Sequence, residues 1–209
     1  MCGISGIFLY DKTHKDRLRM VEGMTDALTH RGPDDKGFFF TDRVGLGHRR
    51  LSIIDLSANG KQPMFNEDGS LSLVFNGAIY NFKDLRKQLL AKGHIFKSIS
   101  DSEVILHLYE EYNTECTKYL EGMFAFAIYD LTKETLFFAR DRVGEKPLYY
   151  YKDKYGFYFS SEIKSFFTLD NFEKQLSPEG LHAYFNNIQI PAPQTIFQGV
   201  KKFLPAHGF

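Results

Sequence analysis

The chain has 209 residues, the size of one domain or of one domain with a short extension. Its 43% hydrophobic, 16% aromatic and 25% charged residues form a globular composition that excludes wholesale disorder, a coiled coil or a collagen-like chain. Lysine plus arginine and aspartate plus glutamate each number 26, so no charge excess points to nucleic acid, and Cys2 and Cys116 alone make neither a disulfide framework nor a four-thiolate zinc site.

Cys2-Gly3-Ile4-Ser5-Gly6-Ile7-Phe8-Leu9 reads as a buried strand whose glycines permit close approach of another backbone. Leu18, Val21, Met24 and Leu28 recur at helical spacing until His30-Arg31-Gly32-Pro33-Asp34-Asp35, where glycine, proline and short polar residues predict an ordered loop. Apolar clusters at 37–40, 44–54 and 71–75 predict strands, with turns at Ala58-Asn59-Gly60 and Asn66-Glu67-Asp68-Gly69. Asn81 is expected to cap a helix that starts at Phe82 and ends at Gly93. Ser100-Asp101-Ser102-Glu103 fits a capping box ahead of a second helix with Val104, Leu108 and Tyr112 on one face.

Short strands follow at 123–130, 135–141, 147–151 and 156–160, read as mostly an antiparallel meander. Ser177-Pro178-Glu179 starts a last helix, its face being Leu181 with Tyr184 or Phe185. Pro191, Pro193 and Pro205 then break the pattern and predict a surface-hugging tail or linker. The longest apolar run, 123–129, has 7 residues where a membrane-spanning helix needs about 20. No signal-peptide pattern opens the chain, so the cytoplasm is the expected compartment and no membrane partner is expected.

Cys2 is the first residue able to carry chemistry. Removal of Met1 would join a thiol and a free α-amine on one residue, so that nucleophile and base need no separate histidine. Position alone leaves the alternative of a buried cysteine without chemical role. Asn76-Gly77 offers a side-chain amide beside a backbone N–H, the pair an oxyanion hole needs, and is equally an ordinary turn dipeptide. Arg50 and Asp101 suit the carboxylate and ammonium of an amino acid, and equally a salt bridge or a helix cap. His30, His48, His94 and His107 show no metal-motif spacing, so no metal is expected, and no phosphate-binding glycine loop is present.

The motifs Cys2-Gly3-Ile4, His30-Arg31-Gly32-Pro33-Asp34, Gly45 through Ile53, Phe75-Asn76-Gly77 and Arg140-Asp141-Arg142-Val143-Gly144 resemble, in order, the glutaminase domain of glutamine-hydrolysing asparagine synthetases. Lys146-Pro147-Leu148-Tyr149-Tyr150, Ser161-Glu162-Ile163-Lys164 and Thr195-Ile196-Phe197 extend the similarity over nearly the whole chain. The resemblance implies an α+β class II amidotransferase with an N-terminal-nucleophile hydrolase fold, four layers αββα with two stacked antiparallel sheets. It implies a glutaminase domain over 1–190, with 191–209 beginning a linker to a synthetase domain. By that resemblance Cys2 is the nucleophile and Asn76 and Gly77 form the oxyanion hole. Arg50 and Asp101 hold the carboxylate and ammonium of glutamine, Ile53 and Ile54 lie near its backbone contacts, and the loop at 31–34 covers the site.

No cofactor is implied in this domain. ATP and Mg belong to the synthetase half, whose Ser-Gly-Gly-x-Asp-Ser segment does not occur in these residues. The implied partners are glutamine and a synthetase domain in cis or in trans, and a homodimer stays open. One departure stands out: the family's Asn-Gly-Glu-Ile-Tyr-Asn segment has Ala78 here in place of the glutamate, which implies weaker glutamine binding. Two other readings remain, the glutaminase half of an enzyme with another acceptor, and a degenerate module that binds glutamine without turnover.

Overall fold

Residues 3–9 carry apolar side chains on both strand faces, and the fold uses both. In β1 (Gly3–Leu9) Ile4 points into one hydrophobic cluster while Ile7 and Leu9 point into another on the opposite side. The computed structural model describes residues 1–208, and Phe209, the last residue of the expected linker, lies outside the described residues.

β1 sits inside a six-stranded antiparallel sheet with β2 (Asp35–Phe40), β3 (Val44–Arg50), β8 (Tyr149–Lys152), β9 (Gly156–Ser160) and β10 (Lys201–Lys202), in the order β10-β8-β9-β1-β3-β2. The second sheet has the order β4-β5-β6-β7, made of β4 (Met64–Phe65), β5 (Leu71–Ile79), β6 (Gly122–Asp130) and β7 (Thr135–Arg140). The run at 123–129 is buried on both faces because of its period of two. Phe124, Phe126 and Ile128 pack towards helices, while Ala125, Ala127 and Tyr129 pack towards the other sheet. Val44, Leu46, Val74, Phe138 and Phe159 fill the space between the sheets.

Helices close both outer faces. α1 (Met20–Asp26) and the 3-10 turns of Ile163–Thr168 cover the six-stranded sheet through Val21, Met24 and Phe166. α2 (Phe82–Ala91) and α3 (Glu103–Tyr112) cover the other through Leu85, Leu89, Val104 and Leu108. The architecture is therefore α+β in four layers, αββα, with two stacked antiparallel sheets. No helix among the described residues is long and apolar enough to cross a membrane.

Several local expectations are corrected. The strand expected over 44–54 stops at Arg50, because the Arg50 guanidinium takes the Asp55 and Ser57 carbonyls and bends the following loop back. Asn81 is the N-cap residue of α2 as expected, but its side chain makes no cap hydrogen bond: its amide bridges Tyr119 and Glu121 across the neighbouring segment. No capping box forms between Ser100 and Glu103: α3 starts at Glu103 itself, with Ser102 as its N-cap residue, and Glu103 turns its carboxylate to Lys97 and Ser98 instead. The expected meander is split, because the chain leaves one sheet after β7 and enters the other at β8. The face of α4 (Pro178–Asn187) is not buried either, with Tyr184, Phe185 and the following Ile188 exposed. The described part of 191–209 packs on the domain, where Val200 and Phe203 are buried and β10 pairs with β8.

The Arg140-to-Lys146 motif is scaffold. Arg140 donates to the carbonyls of Gly144, Lys146 and Phe203. Buried Asp141 accepts from the backbone N–H groups of Phe124, Val143, Glu145 and Lys146. Burial alone would raise the Asp141 carboxyl, but these donors outweigh it and hold the group below its ordinary value. Asp141→Ala is expected to lower the unfolding free energy by about 3 kcal/mol in urea titrations, because four N–H groups lose a charged acceptor. The sign with pH follows from the depressed folded value: the stabilisation is complete above the ordinary 3.8 and is lost as pH falls through the lower folded value.

Candidate active site

Strand ends from both sheets meet at one cavity of about 260 Å³. Cys2, immediately before β1, and Arg50, the last residue of β3, come from the six-stranded sheet; Asn76, Gly77 and Ala78 come from β5. Ile53, Ile54 and Asp101 reach the same cavity from loops, so the seven residues given a site role in the sequence line it, together with Ala78. Met1, Asp55, Gln62 and Lys146 are further parts of the wall.

Cys2 is held on both sides. The Arg31 guanidinium donates to its carbonyl at 2.9 Å, and the Leu51 N–H donates to its Sγ at 3.5 Å. Burial pushes the thiol up, against the lowering influence of the Leu51 N–H, the amino terminus and Arg50; Asp101 adds to the rise. A thiol raised in this way stays neutral and needs a base before it can attack.

Asn76 is 1% exposed, and its Nδ2 has no hydrogen-bond partner among the described residues. A buried amide N–H₂ without an acceptor is costly to keep, and here it belongs to a residue on the cavity wall. Its strand is pinned just before it. The Gln62 side-chain oxygen accepts from the Phe75 N–H at 2.6 Å, and His48 Nε2 lies 3.1 Å from the Phe75 carbonyl. Burial lowers His48 to about 4, so it is a neutral imidazole, and Nε2–H donates because a carbonyl only accepts. Gly77 must lack a side chain, since a Cβ there would stand 2.2 Å from the Met123 carbonyl oxygen.

Arg50 is 8% exposed and spends two N–H donors on the Asp55 and Ser57 carbonyls, which leaves three of its five for a ligand. No carboxylate of the described residues forms a salt bridge with it. Asp101 accepts from the Ile79 N–H at 2.8 Å, and burial raises its carboxyl above the ordinary value despite that bond. A cationic partner would therefore favour its ionised form. Cavity wall and ends thus offer a thiol, an unpaired amide donor, a guanidinium and a carboxylate, which suits a zwitterionic amino acid carrying a side-chain carbonyl.

The loop at 31–34 does not cover this cavity, contrary to expectation. Arg31 is an anchor, tied to the Cys2 carbonyl and to Glu162, and Asp34 holds the Ser52 N–H. The bordering segment is instead 51–55, with Ile53 and Ile54 exposed. Asp55, Gln62 and Lys146 on the wall, and His48 behind the Phe75 carbonyl, carry no site role in the sequence expectations. His48 and Lys146 lie inside quoted motifs, whereas nothing around Gln62 or Asp55 marks them.

A family profile described as a glutamine amidotransferase domain matches residues 1–209. "Asparagine synthetase [glutamine-hydrolyzing] 3" of Bacillus subtilis (strain 168) is 40% identical over 210 residues, covering 99% of this chain and 34% of the relative. "Amidase chry2" of Gibberella zeae is 37% identical over 220 residues, covering 99% of this chain and 32% of the relative. Among solved structures, the B. subtilis glutamine phosphoribosylpyrophosphate amidotransferase superposes with a TM-score of 0.69 at 25% identity, over 80% of this chain and 43% of that one. The chain thus spans about one third of the length of the curated relatives it matches.

Proposed function

The chain belongs to the glutamine amidotransferase domain family, as a class II member related to glutamine-hydrolysing asparagine synthetases, and from that premise we propose that it hydrolyses the side-chain amide of glutamine through Cys2. The observation that carries the proposal is the shared cavity of the Cys2 thiol and the unpartnered Asn76 amide.

With Met1 removed, the Cys2 α-amine takes the thiol proton as Sγ attacks the amide carbon of glutamine. Asn76 Nδ2–H and the Gly77 N–H donate to the oxygen as it gains charge, where a fixed donor is worth most. Collapse passes the proton to the leaving nitrogen, releasing ammonia and leaving a γ-glutamyl thioester. The amine then takes a proton from water, which attacks the thioester and frees glutamate and the thiol. Arg50 binds the α-carboxylate and Asp101 the α-ammonium, while the Ile53 and Ile54 segment closes over the bound amino acid, so binding energy becomes alignment.

The domain line of this reading is a glutaminase over 1–190, followed by the start of a linker. The ammonia is supplied to an ATP-dependent asparagine synthetase domain in cis or in trans, in the cytoplasm. Similarity to a fungal relative named an amidase favours a second acceptor as the variant of the same reading. The test is intact mass together with turnover. Protein lacking Met1 is expected to release ammonia and glutamate in equal amounts, and glutamine binding without turnover would favour the degenerate glutamine-binding module.

Ala78 gives a further expected result. It lines the cavity with Asp101, so a glutamate there would add a second carboxylate for the ammonium. A charge-assisted contact worth about 1.5–3 kcal/mol makes Ala78→Glu lower the glutamine KM by about 10-fold or more, with kcat little changed. Steady-state kinetics read this directly, and an unchanged or higher KM would reject it.

A further inference from the structure

Away from the Cys2 cavity, three chain segments bring two imidazoles and two carboxylates together. α3 places His107 and Glu110 three residues apart, on one helix face. Gly93, at φ +102, ends α2 in a conformation other residues avoid and turns the chain so that His94 faces α3. Glu67 arrives from the turn between β4 and β5. One ligand atom from each of Glu67, His94, His107 and Glu110 lies within 4.8 Å of the other three.

The geometry points to a binding site for one divalent transition-metal ion of the zinc class, held by Glu67, His94, His107 and Glu110. Both rings turn Nδ1 to the same two carboxylates. His107 Nδ1 lies 2.8 Å from Glu110 Oε2 and 3.4 Å from Glu67 Oε2, and His94 Nδ1 lies 3.5 Å from Glu67 Oε1 and 3.6 Å from Glu110 Oε2. Bonds of about 2.0–2.1 Å in a tetrahedron set ligand atoms about 3.3 Å apart, and with either Glu67 oxygen as ligand the three separations given among one atom of each residue bracket that edge.

The surroundings are those of a supported metal site. His94 turns its other nitrogen to Glu111 at 3.2 Å. His107 is 1% exposed, and its Nε2 has no hydrogen-bond partner and lies 3.9 Å from Glu103. Carboxylates behind ligating imidazoles are the recurrent outer shell of such sites. The two ligand carboxylates are also oriented: the Asn66 amide donates to Glu110 Oε1 at 2.8 Å, and the Ile95 N–H donates to Glu67 Oε1 at 2.9 Å. Four carboxylates thus surround two imidazoles. Lys92 pairs with Glu111, and Lys97 spends its ammonium on the Asn66 carbonyl, so negative charge is in excess.

An N₂O₂ donor set with two histidines favours zinc over magnesium or calcium, which take oxygen shells. The ion would tie the end of α2, the 66–70 turn and α3 into one unit. Through Glu103, which holds Lys97 and Ser98, it would also brace the loop that carries Asp101. The proposal does not depend on the glutaminase reading.

The test titrates zinc into chelator-treated protein, in a Cys2→Ala background so that the thiol does not compete. One equivalent is expected per chain, with a melting temperature about 5 °C or more higher at a hundredfold excess over Kd. Magnesium is expected to give no shift. Cobalt(II) in place of zinc is expected to give the visible bands of a tetrahedral site. His94→Gln and Glu67→Gln, each checked for an unchanged fold by circular dichroism, are expected to weaken zinc at least about 100-fold. Absence of saturable binding would mean an imidazolium–carboxylate cluster only, and affinity in both variants equal to that of the parent protein would place the ion elsewhere. Either result overturns the proposal.

Discussion

Cys2→Ala is expected to reduce glutamine-dependent ammonia release by at least about 10⁴-fold, because Cys2 carries the one thiol among the described residues of the cavity wall. Cys116, the other thiol, is buried in the core beside α3, where desolvation pushes it up to about 12, so it does not substitute. A loss of the same order is expected for protein that keeps Met1. Its Cys2 nitrogen is then an amide whose lone pair is delocalised into the carbonyl and is not basic, and burial has already made the thiol harder to ionise. Mass spectrometry after rapid quench distinguishes both forms from wild type, and the mass of the N-terminal peptide distinguishes them from each other. Wild type shows the γ-glutamyl adduct on the peptide that begins at Cys2, and neither altered form does. Undiminished ammonia release from Cys2→Ala would remove the nucleophile assignment.

Asn76→Ala is expected to lower kcat by about 10²–10³-fold while the glutamine KM changes little, since the donor acts on charge that exists only in the transition state. Its structural signature should be unusual for a side chain only 1% exposed. Nδ2 makes no hydrogen bond in the resting protein, so its loss removes an unsatisfied donor rather than a bond. The melting temperature should stay within a few degrees of wild type or rise. A collapse in stability with kcat per folded molecule preserved would instead make Asn76 a packing residue. Stability given up at an unpaired donor in the cavity wall is the trade found where a site is organised in advance of its substrate.

Much of the secondary structure was legible because its causes are local. The short apolar run at 123–129 and the proline and serine at the start of α4 act within a few residues, and β6 and α4 form there. The misread features have non-local causes. Asn81 and Glu103 are good capping residues by type, but each met a stronger partner from a neighbouring segment, Asn81 at Tyr119 and Glu121, and Glu103 at Lys97 and Ser98. The strand expected to run to Ile54 ends at Arg50 because one guanidinium finds two carbonyls further on. Likewise the apolar residues of α4 look like a buried stripe in the sequence, yet stand exposed on this domain.

The sequence by itself determined the candidate chemistry: a cysteine behind the first methionine, an Asn-Gly pair, an arginine and an aspartate, set in ordered motifs that identify the family. Residue type and short spacing carry that information, because nucleophilicity, amide donation and charge are properties of single side chains. Only the tertiary structure decided that the four share one cavity and that the Asn76 amide is left unpaired. It alone also brought Glu67 and His94 onto His107 and Glu110 across a gap of some forty residues. Such convergence depends on which strand edges pair and which helix covers which face. Those choices are settled by burying apolar surface over the whole chain, so no local stretch of sequence encodes them.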